Sequence, residues 1–436
     1  MKWGQVLLVA AAIAAPALAG AEPRPISLGE ALSLAERNAV GVVQAQGQKR
    51  TAAAGVRAAY AAFLPSLNLS AGASRQLPAR ANQTRVENGQ VVTLASEPWS
   101  FSTGLGASTT LFAGGGRFFD LQQARAQAVG AEANLQAQRY ATAFSVKEQF
   151  FAVLAARESE AAAGAQLEQA GQQLRTSILR LRQRVVTRSD SLRAEIQVHN
   201  ARLAVLQART ALEYADATLG RLVGSPLPVT AAADDSLDRP GLALDDAQLR
   251  AQVLDGPAVR QAAAAVDGAR AALRGTWTGY LPAVTATYSR SGSGTGSDFS
   301  LSSDGFSYSG GLRLSLSFPV FTQYQNEQRV TQSQVARENA EAALRDTRLT
   351  ALASLTQSLG SFHAAEERVA IQSATVQAAE EDLRMQRDKY EIGAATLLDV
   401  LTSQTTLDQA RRDLIQARYD QRTTRAQLEA LVGRSL

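Results

Sequence analysis

The run Phe101-Ser102-Thr103-Gly104-Leu105-Gly106-Ala107-Ser108-Thr109-Thr110-Leu111-Phe112-Ala113-Gly114-Gly115-Gly116 decides how this chain folds. Phe101, Thr103, Leu105, Ala107, Thr109 and Leu111 alternate with Ser102, Gly104, Gly106, Ser108 and Thr110. Period two with one apolar side describes a strand buried on one face only. The three glycines follow as a flexible turn. From about Arg117 to Val185 there is then no proline, so a very long helix is expected. One strand thus feeds one long helix, and the chain reads as α+β.

The same pattern lies on either side of this run. Upstream, Leu67, Leu69, Ala71 and Ala73 alternate with Ser66, Asn68, Ser70, Gly72 and Ser74. Downstream, Val284, Ala286 and Tyr288 oppose Thr285, Thr287 and Ser289, and Tyr308, Leu312, Leu314, Leu316 and Phe318 oppose Ser309, Gly311, Arg313, Ser315 and Ser317. These four strands come in two pairs because the chain repeats itself. Phe63-Leu64-Pro65-Ser66 returns as Tyr280-Leu281-Pro282-Ala283 (280 − 63 = 217), with Asn38 and Gln44 matching Asp255 and Gln261. Later the spacing shortens: Leu222-Val223-Gly224 returns as Leu431-Val432-Gly433 (431 − 222 = 209). The extra residues of the first half therefore fall between Arg75 and Pro98, where an exposed loop is expected.

Each strand has about ten residues, the length a tilted strand needs to cross a bilayer. Phe63, Trp99, Phe112, Tyr280, Phe306 and Phe321 sit near the strand ends, which suits a girdle of aromatics at the membrane interface. The polar side is small and uncharged except for Arg313. A soluble β-hairpin on a helical scaffold is the alternative. If the strands span, four cannot close a barrel and lipid forbids open edges, so the chain must oligomerise. Three copies make twelve strands.

The helical stretches carry heptad lines. Leu355, Phe362, Val369, Val376, Leu383 and Tyr390 recur every seventh residue, and 209 positions earlier stand Val146, Val153, Glu160, Leu167, Leu174 and Leu181. The return helix carries two lines: Val198, Val205, Leu212 and Leu219, and Leu192, Ile196, Leu203 and Leu206. Two lines on one helix imply helical neighbours on both sides, as in a closed ring. The expected layout is a helix (27–60), a strand pair (65–112), a long helix (117–186) and a return helix (190–222). A linker (225–243) follows. Then come a helix (244–275), a strand pair (281–321), a long helix (326–390) and a return helix (397–432). A long helix of about seventy residues, roughly 100 Å, can lie beside two half-length ones stacked end to end.

Composition narrows the function. The 436 residues include no cysteine, which removes disulfides, thiolate catalysis, Cys-ligated metals and an acylated N-terminal cysteine. With only His199 and His363, most histidine-based metal and acid–base sites are excluded. Lys and Arg total 44 against 40 acidic residues, both signs spread along the chain, so nucleic acid is not an expected partner. Beyond the N-terminus no run of about eighteen apolar residues exists. Lys2, the apolar stretch Val6 to Ala15 and Ala17-Leu18-Ala19 form an export signal over 1–21, cut after Ala19 or Ala21. No H-E-x-x-H, G-x-S-x-G or P-loop occurs, so neither an enzyme nor a cofactor is expected. Gly292, Gly294 and Gly296 read as a surface loop.

Two turns carry the site candidates. Thr187-Arg188-Ser189-Asp190 and Thr396-Leu397-Leu398-Asp399 read as capping boxes at the starts of the return helices. In a symmetric ring each aspartate also appears once per subunit, a carboxylate ring that attracts cations. Gly393 is the left-handed breaker before the second turn, and Arg184 stands at its counterpart.

Together these features resemble the TolC family of bacterial outer-membrane channel proteins over the whole mature chain. The resemblance rests on Tyr390-Glu391-Ile392-Gly393, Leu398-Asp399-Val400-Leu401, Leu431-Val432-Gly433, Phe63-Leu64-Pro65-Ser66 and Leu111-Phe112-Ala113-Gly114-Gly115. It implies a homotrimer with a twelve-stranded outer-membrane barrel continuous with a long periplasmic α-helical coiled-coil barrel. It implies tips, Arg184, Val185, Val186, Thr187 and Arg188 with Gly393, Ala394, Ala395 and Thr396, that meet a periplasmic adaptor (membrane fusion) protein. The adaptor joins an inner-membrane transporter of the RND or ABC class. Asp399 matches the family's constriction aspartate, and Asp190 is its first-half counterpart. Thr402 replaces a second aspartate found in some members, and Ala395 a gating arginine. The implied function is a passive duct of a tripartite efflux pump, exporting small molecules such as drugs, dyes or metal ions. A type I protein secretion duct uses the same architecture, and a structural periplasmic coiled-coil protein is the reading from another class.

Overall fold

The computed structural model describes residues 23–77, 83–87, 89–94, 98–184, 187–232, 245–299 and 306–434. The export signal therefore lies outside the described residues, as do Val185, Val186 and most of the 225–243 linker. The chain divides into two compact units.

The first unit takes residues 23–46, 134–259 and 348–434 and is almost wholly helical. It contains α1 (Leu28–Asn38), the start of α2 (Val40–Ala61), most of α3 (Gly116–Arg182), α4 (Arg188–Val223), α5 (Asp246–Leu254), the start of α6 (Pro257–Thr276), the later part of α7 (Gln325–Glu391) and α8 (Leu397–Val432). α3 and α7 each have 67 residues, and α4 and α8 each have 36. Their cores use the heptad lines: Val146, Val153, Leu355, Phe362 and Leu383 are buried. Phe150 and Phe151 join Val146, Val153, Leu154, Leu219 and Val223 in one buried cluster. The second line on α4 behaves differently: Leu192, Ile196, Leu203 and Leu206 are 49%, 56%, 54% and 58% exposed.

Two expectations change here. The half-length helices are each broken, between α1 and α2 at Ala39 and between α5 and α6 at Asp255-Gly256. Ala39 turns to ψ 127° while its N–H still donates to the Ala35 carbonyl, and Gly256 packs against the backbone of Leu431. The linker also contributes structure. Val229–Ala231 (β6) pairs in parallel with Arg24–Ile26 (β1), and all three β6 residues are buried.

The second unit takes residues 47–133 and 260–347. Its centre is an antiparallel sheet ordered β2-β5-β7-β8, comprising Ser66–Arg75, Trp99–Ala113, Ala283–Gly296 and Ser307–Ser317. Leu69 stands opposite Leu105, Leu105 opposite Arg290, and Arg290 opposite Gly310. Side chains alternate across a strand, so one face carries Leu67, Leu69, Leu105, Tyr288, Leu312 and Leu314. The other carries serine pairs: Ser66 with Ser108 at 2.9 Å, Ser74 with Ser100 at 3.1 Å, and Ser291 with Ser309 at 3.2 Å.

Two more expectations are corrected in this unit. Gly292 to Gly296 is not a loop but the end of β7, paired with β5 throughout and with β8 as far as Ser293. Gly292 is required there by close approach: a Cβ would stand 2.6 Å from the Tyr308 ring and 2.7 Å from the Thr103 hydroxyl. The segment between Arg75 and Pro98 is not only loop, since β3 (Gln83–Glu87) and β4 (Gln90–Leu94) form a hairpin turning at Gly89, φ 81°. Among the described residues no helix is long and apolar enough to cross a membrane.

Positive φ angles recur at a fixed spacing. Gly114 (61°) and Gly115 (83°) stand 209 residues before Gln323 (52°) and Tyr324 (60°) (323 − 114 = 209). Arg184 (58°) stands the same distance before Gly393 (77°), and Gly224 (66°) before Gly433 (73°) (393 − 184 = 209).

Candidate functional site

The turn before α8 is built from its own sequence. Gly393 takes the left-handed position, its N–H donating to the Tyr390 carbonyl at 3.2 Å, and the Ala394 N–H reaches the Lys389 carbonyl at 2.8 Å. This Schellman closure satisfies the last carbonyls of α7. The chain then extends through Thr396, φ −91° and ψ 160°, into α8. The Asp399 N–H donates to Thr396 Oγ1 at 3.3 Å, and Asp399 Oδ2 accepts from the Thr396 N–H at 2.8 Å and from its hydroxyl at 2.7 Å. The hydrogen bonds from the Thr396 side chain and backbone hold the Asp399 carboxyl below its usual range. Asp399 is exposed and ionised at neutral pH.

The turn before α4 repeats this design. Asp190 Oδ2 accepts from the Thr187 N–H at 3.0 Å and its hydroxyl at 2.7 Å, while the Asp190 N–H donates to Thr187 Oγ1 at 3.3 Å. Arg184 occupies the left-handed position, and its N–H donates to the Leu181 carbonyl at 2.9 Å. Arg184, Thr187, Arg188, Gly393, Ala394 and Thr396 are exposed, and Ala395 is half-buried. Nearby, the Arg180 guanidinium lies 5.2 Å from the centre of the Tyr390 ring, joining α3 to α7.

In the sheet unit the aromatics gather at both ends of the strands. At the end away from the helices Trp99, Phe101, Phe299, Phe306 and Tyr308 form a chain of ring contacts between 5.2 and 6.4 Å. At the helical end Phe63 packs on Phe118 at 5.2 Å, Tyr280 on Trp277 at 5.8 Å and Phe321 on Tyr324 at 6.0 Å. Phe112 is exposed at the helical end of β5, one residue before Ala113. The sequence pattern missed Phe101, Phe299, Tyr308, Phe118, Trp277 and Tyr324 as members of these groups.

A family model described as "Outer membrane efflux protein" matches residues 31–225 and 252–434, most of the chain. The chain belongs to the outer membrane efflux protein family. It is an outer-membrane protein with a periplasmic part, and its family is one of channels rather than enzymes. Among curated relatives of this efflux protein, the pyoverdine export outer membrane protein OpmQ of Pseudomonas aeruginosa is 26% identical over 389 residues, 88% of this chain and 79% of OpmQ. Two solved structures share the fold. CusC, whose study concerns folding and transmembrane channel formation, has a TM-score of 0.77 at 18% identity, covering 94% of this chain and 92% of its own. The open state of the Neisseria gonorrhoeae MtrE outer membrane channel has a TM-score of 0.74 at 20% identity, covering 94% and 89%.

One further feature of this efflux protein was not legible beforehand. A cavity of about 60 Å³ near the turns is lined by glutamines of α3, α4 and α8 together with Arg387 and Asp408. Asp408 accepts from Gln166 at 2.6 Å and from Gln404 at 2.9 Å; Gln404 Oε1 accepts from Gln169 at 2.8 Å and Arg387 at 3.0 Å. Burial pushes the Asp408 carboxyl up. The only signal in the sequence is that Asp408 follows Leu407, a core position, by one residue.

Proposed function

We propose that three copies of this chain close a twelve-stranded barrel in the outer membrane, continuous with a periplasmic ring of helices, and that the assembly is the passive exit duct of a tripartite efflux pump. The observation that carries this reading is the sheet. β2 and β8 are its edges, and every residue in both strands is exposed. Leu69 and Leu312, on the same face, are 84% and 79% exposed. Long open edges and an uncovered leucine face are unstable in water. In a closed ring β2 of one copy pairs with β8 of the next, and the leucine face meets hydrocarbon. The exposed leucine line on α4 fits the same closure, because a neighbouring copy would cover it.

In this reading the two halves are an internal duplication, which the 209-residue spacing of the left-handed positions supports. The aromatic groups at the strand ends form the two interfacial girdles. The turns carrying Thr187–Asp190 and Thr396–Asp399 are the periplasmic tips that meet the adaptor. Three ionised Asp399 side chains, with three of Asp190, make an electronegative constriction that favours cations. Channels of this family work as trimers with an adaptor and an inner-membrane transporter, and the transporter supplies the energy. The likeness to OpmQ favours a small organic molecule over a secreted protein as cargo. Outer-membrane fractions should yield a heat-resistant trimer that conducts ions in a planar bilayer. A soluble periplasmic monomer would sink the reading, and an Asp190→Ala/Asp399→Ala trimer with unchanged cation preference would remove the constriction. Accumulation of small molecules, with normal protein secretion, in a strain lacking the gene tests the cargo.

A further inference from the structure

The polar face of the sheet carries one charge, and it is positive. The strand register sets Ser66, Ser108, Thr287 and Arg313 in a single row across all four strands. The other rows of that face hold serine, threonine, glycine, alanine and Asn68. No Asp or Glu occurs in any of the four strands, and the remaining strand arginines, Arg75 and Arg290, stand on the leucine face. Arg313 is exposed and makes no ion pair among the described residues. A second cation opens onto the same face. Arg117, at the start of α3, lines an open depression of about 540 Å³ with Ser66, Ser108, Thr110 and Thr285. Its guanidinium lies 5.8 Å from the centre of the Phe63 ring, and it too has no carboxylate partner among the described residues. Asp120 follows one turn later on α3 without pairing with it.

We propose that Arg313, once per copy and supported by Arg117, makes the lumen of the barrel a binding segment for small organic anions, carboxylates above all. This rests on the reading of the sheet as a membrane-spanning barrel whose polar face lines the lumen. Barrel diameter grows with strand number, and at eight strands side chains still fill the interior, so twelve leave an open lumen. The small residues of this face narrow it little, and Arg313 is its one long side chain. A ring of arginines favours anions as a ring of aspartates favours cations. Low-dielectric walls around water focus the field of such unpaired charges. The guanidinium fork gives a carboxylate two parallel hydrogen bonds, and neighbouring hydroxyls can donate to its other lone pairs. Closing the ring sets β8 beside β2 of the next copy, so the strand bearing Arg313 adjoins the strand that borders the Arg117 depression. The negative tips and the positive barrel then act in series. An acidic cargo meets its favourable site only after passing the tips.

The test is the reversal potential of the purified full-length trimer in a planar bilayer under a KCl gradient. In an Asp190→Ala/Asp399→Ala background, which removes the tip charges, the channel should prefer chloride over potassium by about twofold or more, as an arginine ring requires. Adding Arg313→Gln should abolish that preference, and Arg117→Gln should weaken it. Arg290→Gln, on the leucine face, should leave it unchanged. Benzoate should lower the conductance of the tip-neutralised channel, and the neutral benzamide should not. Arg313→Gln should remove the benzoate effect. Arg313→Lys, which keeps the charge without the fork, should keep the chloride preference and lose most of the benzoate effect, and it serves if the glutamine variant yields no trimer. A tip-neutralised channel that prefers potassium, a glutamine variant with the reversal potential of its parent, or a benzoate effect indifferent to Arg313 would overturn the proposal. A chain that forms no channel defeats the membrane reading, whereas a conducting trimer insensitive to Arg313 defeats only this segment.

Discussion

The first half of the chain spends glycine where a strand turns into a helix, and the second half spends it at the tip. Gly114 and Gly115 correspond to Gln323 and Tyr324, whereas Arg184 corresponds to Gly393, and all six hold left-handed φ angles. A side chain in that region costs roughly 1–2 kcal/mol per residue. Each half therefore carries the strain at a different turn, yet follows the same backbone path. The lesson is that the path is imposed by the packing of the flanking helices and strands, and glycine only lowers its cost. The cores show the same substitution within one plan: Val146, Phe150 and Val153 correspond to Leu355, Leu359 and Phe362, and all six are buried.

Truncating the matched core positions tests this equivalence most severely. Phe150 is 0% exposed and Leu359 is 9% exposed. Phe150→Ala should cost about 3–5 kcal/mol in denaturant unfolding, and Leu359→Ala about 2 kcal/mol, the lower end of the leucine range. Equal losses would show that the two cores are closer in quality than their burial indicates. Exchanging the left-handed residues comes next. Gly393→Arg should destabilise by about 1–2 kcal/mol, since a Cβ there meets no neighbour and only backbone strain is added. Arg184→Gly should stabilise by less than about 1 kcal/mol, because the unfolded chain also gains freedom. A double exchange that restored wild-type stability would confirm that the turns are interchangeable. Thr187→Ala and Thr396→Ala should each lose about 1 kcal/mol, and by similar amounts, because both caps make the same three hydrogen bonds.

The smallest effect is in pH dependence, where the halves part. Asp399 has a lowered pKa, so its stabilisation is present above the unfolded carboxylate range and is lost as pH falls through the folded value. Asp408 has a raised pKa, so its contribution is fullest below the unfolded value and is lost as pH rises through the folded one. The first-half counterpart of Asp408 is the exposed His199 (408 − 199 = 209). Melting temperatures followed from pH 7 to pH 3 should fall less steeply in Asp399→Asn than in wild type. In Asp408→Asn they should start at or above the wild-type value at pH 7 and lose that advantage in acid.

Much of this was readable in advance because it depends on near neighbours in the chain. Alternation over ten residues suffices for a strand, a proline-free heptad line for a long helix, and Thr-x-x-Asp for a cap. The hairpin between β3 and β4 was also within reach, since Asn88-Gly89 flanked by Val86 and Val91 is a strong turn signal. Gly292, Gly294 and Gly296 misled because glycine marks both loops and close approach within a sheet. The glutamine layer around Asp408 left no mark, since single polar residues on a helix look the same whether they face water or three other helices.

By itself the sequence determined the kinds of element, their lengths, the order in which they recur and the two tip caps, all matters of local periodicity and short-range hydrogen bonding. Tertiary structure alone decided that β5 pairs with β7, that α1 breaks from α2 at Ala39 and α5 from α6 at Gly256, and that Gly292 stands against the Tyr308 ring. The reason is that strand partners and register follow from the sum of many weak contacts between distant segments. Only when β5 and β8 are set on either side of β7 does Gly292, a glycine that reads as loop, become a requirement of close approach to Thr103 and Tyr308.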